Sequence, residues 1–231
     1  MPEPQLSGAE TSPELGYDRL IQKLIPGYAS LARLSVALLA ASPLAGSEGA
    51  SILVAGCGTG AELLEARSQR PDWHLTASDP SARMVAVAQE RLEGVESITW
   101  CQTRVEDLPS SHPFDGAIAV LVLQSLADDG AKLRFLSALA RNLRPEAQLV
   151  LVDLMRPERS PLQAQVDRAW GGFQKASSLT PPSTALADLT DGLHPIGRAR
   201  LTALVNAAGF SDPAPVFKAL DFEGFLVQRV S

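Results

Sequence analysis

The chain has 231 residues, of which 45% are hydrophobic, a formal net charge of −6 and two cysteines. That length suits one α/β domain with a substantial core, and that composition excludes disorder along most of it. The acidic balance argues against a broad basic footprint for nucleic acid, and Cys57 and Cys101 read as reduced, buried thiols rather than a disulfide framework.

Residues 1–13 read as a frayed tail. Met1–Tyr17 is rich in Pro and Glu and lacks the apolar stretch of a secretory leader. Helical patterns follow over Tyr17–Leu24 and Tyr28–Ala41, separated by Pro26-Gly27. Leu31–Ala41 is interrupted by Arg33 and too short to span a bilayer, so the expectation is a cytoplasmic protein without membrane contact. Pro43–Gly49 is a loop of turn-forming residues. Ser51–Ala55 is a short apolar run typical of a strand buried on both faces. Strand and helix signals then alternate: a helix over Ala61–Gln69, a strand over His74–Ser78, and a helix over Ser81–Leu92 opened by the N-cap Ser81. Strands at Ile98–Gln102 and Ala117–Leu121 precede an amphipathic helix over Lys132–Asn142, ended by Pro145, and a strand at Gln148–Val152. Residues 156–197 break the rhythm, with a helix around Leu162–Lys175. A helix over Ala199–Ala208 stops at Gly209, and Val216–Phe217 and Phe225–Val230 read as strands. The order implies a doubly wound, mostly parallel seven-stranded sheet covered by helices on both faces, with N-terminal helices and a helical insert after the fifth strand.

The loop Gly56-Cys57-Gly58-Thr59-Gly60 lies directly between the first strand and a helix. Glycines without Cβ atoms let the backbone approach a ligand and take up torsions that other residues avoid. The free N–H groups of the helix start behind them suit a polar or anionic ligand group. Nineteen residues after Gly60 comes Asp79, at the end of the second strand. It is placed to accept hydrogen bonds from both hydroxyls of a ribose. The pattern with Ala61 also satisfies the dinucleotide fingerprint, so the motif alone leaves the cofactor open. A bare glycine turn with a helix-capping Asp79 is the bland alternative.

The order of the strand and GCGTG, then SDPSARMVAVAQ, VEDLP, FDGAIAVLVLQSL and LARNLRPEAQLVLVD resembles class I S-adenosylmethionine-dependent methyltransferases, which have a Rossmann-like fold. YDRLIQKLIPGY, LVLQSL, RARLTALVNAAGF and ALDFEGFLVQR are similar to carboxy-S-adenosylmethionine synthases and their ordinary methyltransferase relatives, over roughly residues 17–230. The resemblance implies S-adenosylmethionine as cofactor. Tyr28 would lie over its methionine end, Gly56, Cys57, Gly58 and Gly60 under it, and Asp79 at its ribose. Pro80 and Met84 would flank the adenine, with Val105 offering a backbone contact. Arg200 falls where the synthases place an arginine that reads an extra carboxylate. The implied organisation is one domain over 1–231: an N-terminal helical cover (1–45), a cofactor-binding core (46–155), a substrate-side insert (156–197) and a C-terminal helix with two strands (198–231).

The departures are informative. Val54 stands where many methyltransferases have an acid, Arg104 where an adenine-contacting aspartate is usual, and Val120 where the synthases have an asparagine. A glycine pair commonly follows LRP; here it is Glu146-Ala147. The expected function is methyl transfer from S-adenosylmethionine to a small or medium-sized organic acceptor by in-line displacement. Alternatives are a carboxy-S-adenosylmethionine synthase-like enzyme in tRNA wobble uridine modification, and a catalytically silent cofactor-binding protein. A nicotinamide dehydrogenase would need catalytic residues after the glycine loop, yet Tyr17 and Tyr28 both precede it. The basic residues Arg156, Arg159, Arg168, Lys175, Arg198 and Arg200 read as a solvated lid.

A sulfonium methyl is already activated, so positioning is the main requirement and no general base is obligatory. Asp153 and His194 are the candidates if one is used. The acceptor is expected among the helices around Tyr17–Tyr28, the loop after Leu121 and the insert, where Trp170 and Phe173 read as packing or as substrate contacts. His74, His112 and His194 have no metal-ligand spacing, so no metal is expected. The apolar N-terminal helices leave a homodimer open.

Overall fold

The computed structural model describes residues 13–95, 97–109, 113–156, 160–178 and 192–230, and for 13–17 the backbone alone. The expected tail, apart from Pro13, lies outside these residues, as do His112 and Arg159. Seven strands form one sheet: β1 (Ser51–Ala55), β2 (His74–Ser78), β3 (Ile98–Cys101), β4 (Phe114–Val120), β5 (Leu143–Leu154), β6 (Ala214–Ala219) and β7 (Phe222–Gln228). Their order is β3-β2-β1-β4-β5-β7-β6. The first five run parallel, and β7 runs antiparallel to both β5 and β6. Among the described residues seven α-helices flank them: α1 (Pro13–Leu24), α2 (Tyr28–Ala40), α3 (Ala61–Gln69), α4 (Ala82–Arg91), α5 (Ala131–Asn142), α6 (Gln163–Ala176) and α7 (Arg198–Ala207). Among the described residues no single helix is long and apolar enough to cross a membrane.

Because side chains alternate along a strand, β1 serves both layers. Ile52 and Val54 pack with Leu31, Val36 and Leu39 of α2 and Leu63 and Ala66 of α3. Leu53 and Ala55 pack with Phe135, Leu136 and Leu139 of α5 and Leu201 and Leu204 of α7. Val54 is thus a core residue: the position that carries an acid in many methyltransferases is committed to hydrophobic packing here.

Two sequence expectations are corrected. Cys57 is buried, but Cys101 is only half-buried. β5 begins at Leu143, not Gln148, and runs through Pro145. Pairing with β4 passes from Phe114–Leu143 to Gly116–Gln148, so the chain bulges between them. A proline is tolerated at such an irregularity, where its missing N–H breaks no regular ladder. At its crest Glu146 takes φ 68°, the left-handed conformation that a glycine would hold without strain.

Candidate active site

The sheet order reverses between β1 and β4, and the crevice beyond the strand ends at such a point is where open α/β sheets bind ligands. A cavity of about 380 Å³ occupies it. The loop after β1 supplies one wall, with Ser78, Asp79 and Pro80 at the end of β2, Thr103–Glu106 after β3, and Val120–Val122 at the end of β4. Tyr28 from α2 and Met84 from α4 also line it.

Local chemistry holds the glycine loop in place. The N–H groups of Gly56 and Cys57 both donate to the Ser78 carbonyl. Asp79, 8% exposed, accepts the Gly58 N–H on Oδ2 at 3.0 Å and the Ser81 N–H on Oδ1 at 2.8 Å. Ser81 in turn caps α4 by accepting the Met84 N–H. Gly56 has φ 68°, and a Cβ there would come within 2.4 Å of Val122 Cγ2, so both torsion and close approach require glycine. Gly58 has φ 50° and lines the cavity, but a Cβ would meet no protein atom within 4 Å. The space it leaves is available to a ligand. Across the cavity Leu121 also has positive φ, 60°, while its N–H donates to the Val152 carbonyl. Strain of this kind is held where surrounding structure over-determines it.

The wall at the start of α3 is acidic and poorly hydrated. Burial pushes Glu62 up to about 7; the hydrogen bond from its own backbone N–H offsets part of this, Asp18 adds to it, and Arg91 offsets it. The Cys57 thiol is pushed up to about 12 by burial, with Asp79 and Glu62 as lesser causes, so it stays protonated and acts as a packing group. Asp18 of α1 clasps the loop: it accepts from the Thr59 hydroxyl and pairs with Arg91, which also donates to the Thr59 carbonyl.

A second, smaller chamber of about 140 Å³ adjoins the cavity, with Leu121 and Ser125 lining both. Its walls are Ile21, Leu24 and Ile25 from the α1 end, Leu154 of β5, Phe222 of β7, Trp170 of α6, Gln124 and Leu193. The Trp170 indole N–H donates to the Leu24 carbonyl, and its ring meets Phe222 edge to face at 5.8 Å. No residue of α6 is fully buried, so these contacts anchor the helix that closes the chamber.

Of the residues expected at the site, Tyr28, Gly56, Cys57, Gly58, Asp79, Pro80, Met84, Arg104, Val105 and Val120 line the larger cavity. Gly60 does not; at φ 87° it precedes α3. Arg104 stands exposed at the rim. Trp170 lines the smaller chamber, whereas Phe173 lines neither. Arg200 also lies outside both linings, bonded through two nitrogens to Asp128.

Neither candidate base lines either space. Asp153 is 3% exposed and pushed up to about 7 by burial. It accepts the Gln124 N–H on Oδ1 and fixes the turn after β4, while Oδ2 has no hydrogen-bond partner among the described residues. The buried Lys132 nearby donates to the Leu123 carbonyl. His194 is exposed, and its backbone N–H donates to the Gln124 carbonyl.

Sequence reasoning missed Thr59, Glu62, Leu121, Ser125 and Phe135 on the larger cavity. Glu62 carried a readable signal. It lies four residues before the buried Ala66 and beside Leu63, so helical spacing turns a carboxyl toward the buried face.

Residues 52–146 match the family model described as methyltransferase domain. A demethylmenaquinone methyltransferase from Tropheryma whipplei is 32% identical over 112 residues, covering 48% of this chain and 44% of that protein. The chain thus spans less than half the length of that relative. A carboxy-S-adenosyl-L-methionine synthase from Campylobacter hominis is 24% identical over 220 residues, 92% of this chain and 90% of that one. Among solved structures, magnesium protoporphyrin IX methyltransferase from Synechocystis with bound SAH superposes with a TM-score of 0.63 at 21% identity. That match covers 93% of this chain and 94% of that one.

Proposed function

We propose that this chain is a class I S-adenosylmethionine-dependent methyltransferase that transfers a methyl group to a small, largely apolar acceptor held in the smaller chamber. The observation that carries the reading is the junction at Leu121 and Ser125, where the cavity at the sheet's switch point meets that chamber. A reaction that joins two bound molecules needs two adjoining sites with a shared boundary.

The residues present fit the cofactor. Asp79 is a buried carboxylate facing the cavity for a ribose, Met84 and Pro80 offer apolar surface for an adenine, and Gly58 leaves space that a Cβ would fill. S-adenosylmethionine, when bound, supplies a methyl already activated by its sulfonium. The chain's contribution is then to orient, to exclude water and to bring an acceptor atom into line, which supplies several kcal/mol and about 7–11 in ideal cases. Leu121, held by the Val152 carbonyl, and Val122, wedged against Gly56, form a stiff partition at which the two molecules would meet. Asp153 positions Gln124 on the chamber wall rather than acting on the acceptor.

The chamber limits the acceptor's size. An apolar cavity of about 150 Å³ lined by Leu, Ile and Phe accepts benzene, so about 140 Å³ here suits a group of one ring. Gln124, whose Oε1 accepts the Leu154 N–H, and Ser125, whose hydroxyl donates to the Val122 carbonyl, are polar residues on its lining beside the Trp170 indole N–H. The Ser125 oxygen can still accept from a hydroxyl or amine substituent. On this reading residues 1–231 act as one domain, with the N-terminal helices and α6 of the insert covering the acceptor. An ordinary rather than a carboxylated cofactor is favoured, because Arg200 is engaged with Asp128 outside the cavity lining and Val120 offers no polar side-chain atom there.

The test is transfer of labelled methyl from S-adenosylmethionine to a panel of one-ring phenols, thiols and amines. The reading expects product with at least one of them, and a higher acceptor KM in Trp170→Ala with unchanged cofactor affinity. Cofactor binding with no transfer to any acceptor would favour a silent binding protein.

A further inference from the structure

Glu62 is 7% exposed and lines the larger cavity; its carboxylate accepts its own backbone N–H, and among the described residues it forms no ion pair. A glutamate in the first turn of a helix needs no burial to favour the helix dipole; an exposed one does the same. Burying a carboxyl without a cationic partner is costly even where a backbone N–H bonds it, and here the adjoining space is a ligand cavity. A second observation bears on the same wall. Val54, where an acid is common in such domains, is sealed in the core, so the strand end offers no negative group to a bound cation.

Resting on the cofactor assignment above, we infer that Glu62 receives the α-ammonium of the cofactor's methionine moiety, taking over from α3 the charge that Val54 does not supply from β1. The open N–H groups of the same first turn suit the accompanying carboxylate, so one helix end would meet both charges of the amino acid.

The charges around Glu62 are Asp18 from α1 and Arg91 from α4, with the Cys57 thiol on the loop and Asp79 at the end of β2 beyond it. Asp18 and Arg91 bond each other, and both bond Thr59. Glu62 is left as a buried carboxyl whose hydrogen bond is to a backbone N–H and not to a cation. With burial holding it near 7, the empty site carries a partly protonated carboxyl at neutral pH. A bound ammonium favours the carboxylate, so binding at pH 6 releases a proton, and affinity falls by about tenfold per pH unit below 7.

The experiment is calorimetric titration of wild type and Glu62→Gln with S-adenosylhomocysteine and with 5′-methylthioadenosine, which lacks the amino-acid end. Glu62→Gln should weaken S-adenosylhomocysteine by about 10- to 100-fold, the loss of a charge-assisted hydrogen bond, and leave 5′-methylthioadenosine unchanged. Its S-adenosylhomocysteine affinity should also lose the decline below pH 7. Equal affinity in both proteins, or equal weakening of both ligands, would overturn the assignment. Should the variant not fold, the wild type alone decides. At pH 6 the observed heat should vary with the buffer's ionisation enthalpy for S-adenosylhomocysteine and not for 5′-methylthioadenosine; no such difference overturns the inference. A wild type that binds neither ligand overturns the cofactor reading itself, a result distinct from these.

Discussion

The two adjoining spaces are built by opposite means. The larger cavity rests on short-range backbone order: a five-residue loop, a carboxylate that accepts two backbone N–H groups, and strand ends fixed by parallel pairing. The smaller chamber is assembled from distant parts of the chain and closed by a helix with no fully buried residue. Its key contact, Trp170 to Leu24, spans 146 residues. The cavity is therefore rigid and suited to a constant ligand. The chamber is a surface assembly whose apolar lining can change without disturbing the sheet.

Substitutions can break this contrast. Gly56→Ala should have the largest effect, because the new Cβ collides with Val122 and the torsion stays left-handed. Overpacking and strain together predict a loss of about 2–5 kcal/mol in a denaturant titration. Gly58→Ala, with open space around it, should cost only about 1–2 kcal/mol. Equal losses would show that close approach to Val122 is unimportant.

Asp79→Ala comes next. Loss of its cofactor contact and release of the Gly58 N–H should reduce affinity for S-adenosylmethionine by about 100-fold, whereas Trp170→Ala should leave that affinity alone. Unchanged binding in Asp79→Ala would remove the ribose assignment. On the other side of the contrast, Trp170→Ala should raise the acceptor KM by about tenfold, the loss of one aromatic face. An acceptor KM insensitive to Trp170 would place the acceptor elsewhere. The smallest effect is remote from both spaces: Glu146→Gly should stabilise the protein by about 1 kcal/mol by relieving the left-handed torsion at the β5 bulge. A lower melting temperature would contradict that account of the bulge.

The same contrast explains what could be read from sequence. The strands and the glycine loop announce themselves through apolar runs a few residues long, and Asp79 follows at a fixed spacing from them. β5 was shortened in that reading because Arg144-Pro145-Glu146 has the composition of a turn, while its pairing with β4 across the bulge depends on distant Phe114. Glu62 escaped notice because a glutamate in a helix's first turn is ordinary: its spacing from Ala66 marks the buried face, but that this face lines a cavity depends on packing. The chamber was located only as a region, since nothing near Trp170 in sequence specifies Leu24 or Phe222 as its neighbours. Arg200 illustrates the converse: its position in a motif was legible, but its engagement with Asp128, 72 residues earlier, was not.

The most direct test is a crystal structure of the protein with S-adenosylhomocysteine and a one-ring phenol. The account predicts the ribose hydroxyls on Asp79, the adenine between Pro80 and Met84, and the sulfur facing the opening at Leu121 and Ser125, with the phenol beyond it beside Trp170. A cofactor bound with its sulfur turned away from that opening, or a phenol seated outside the chamber, would contradict it.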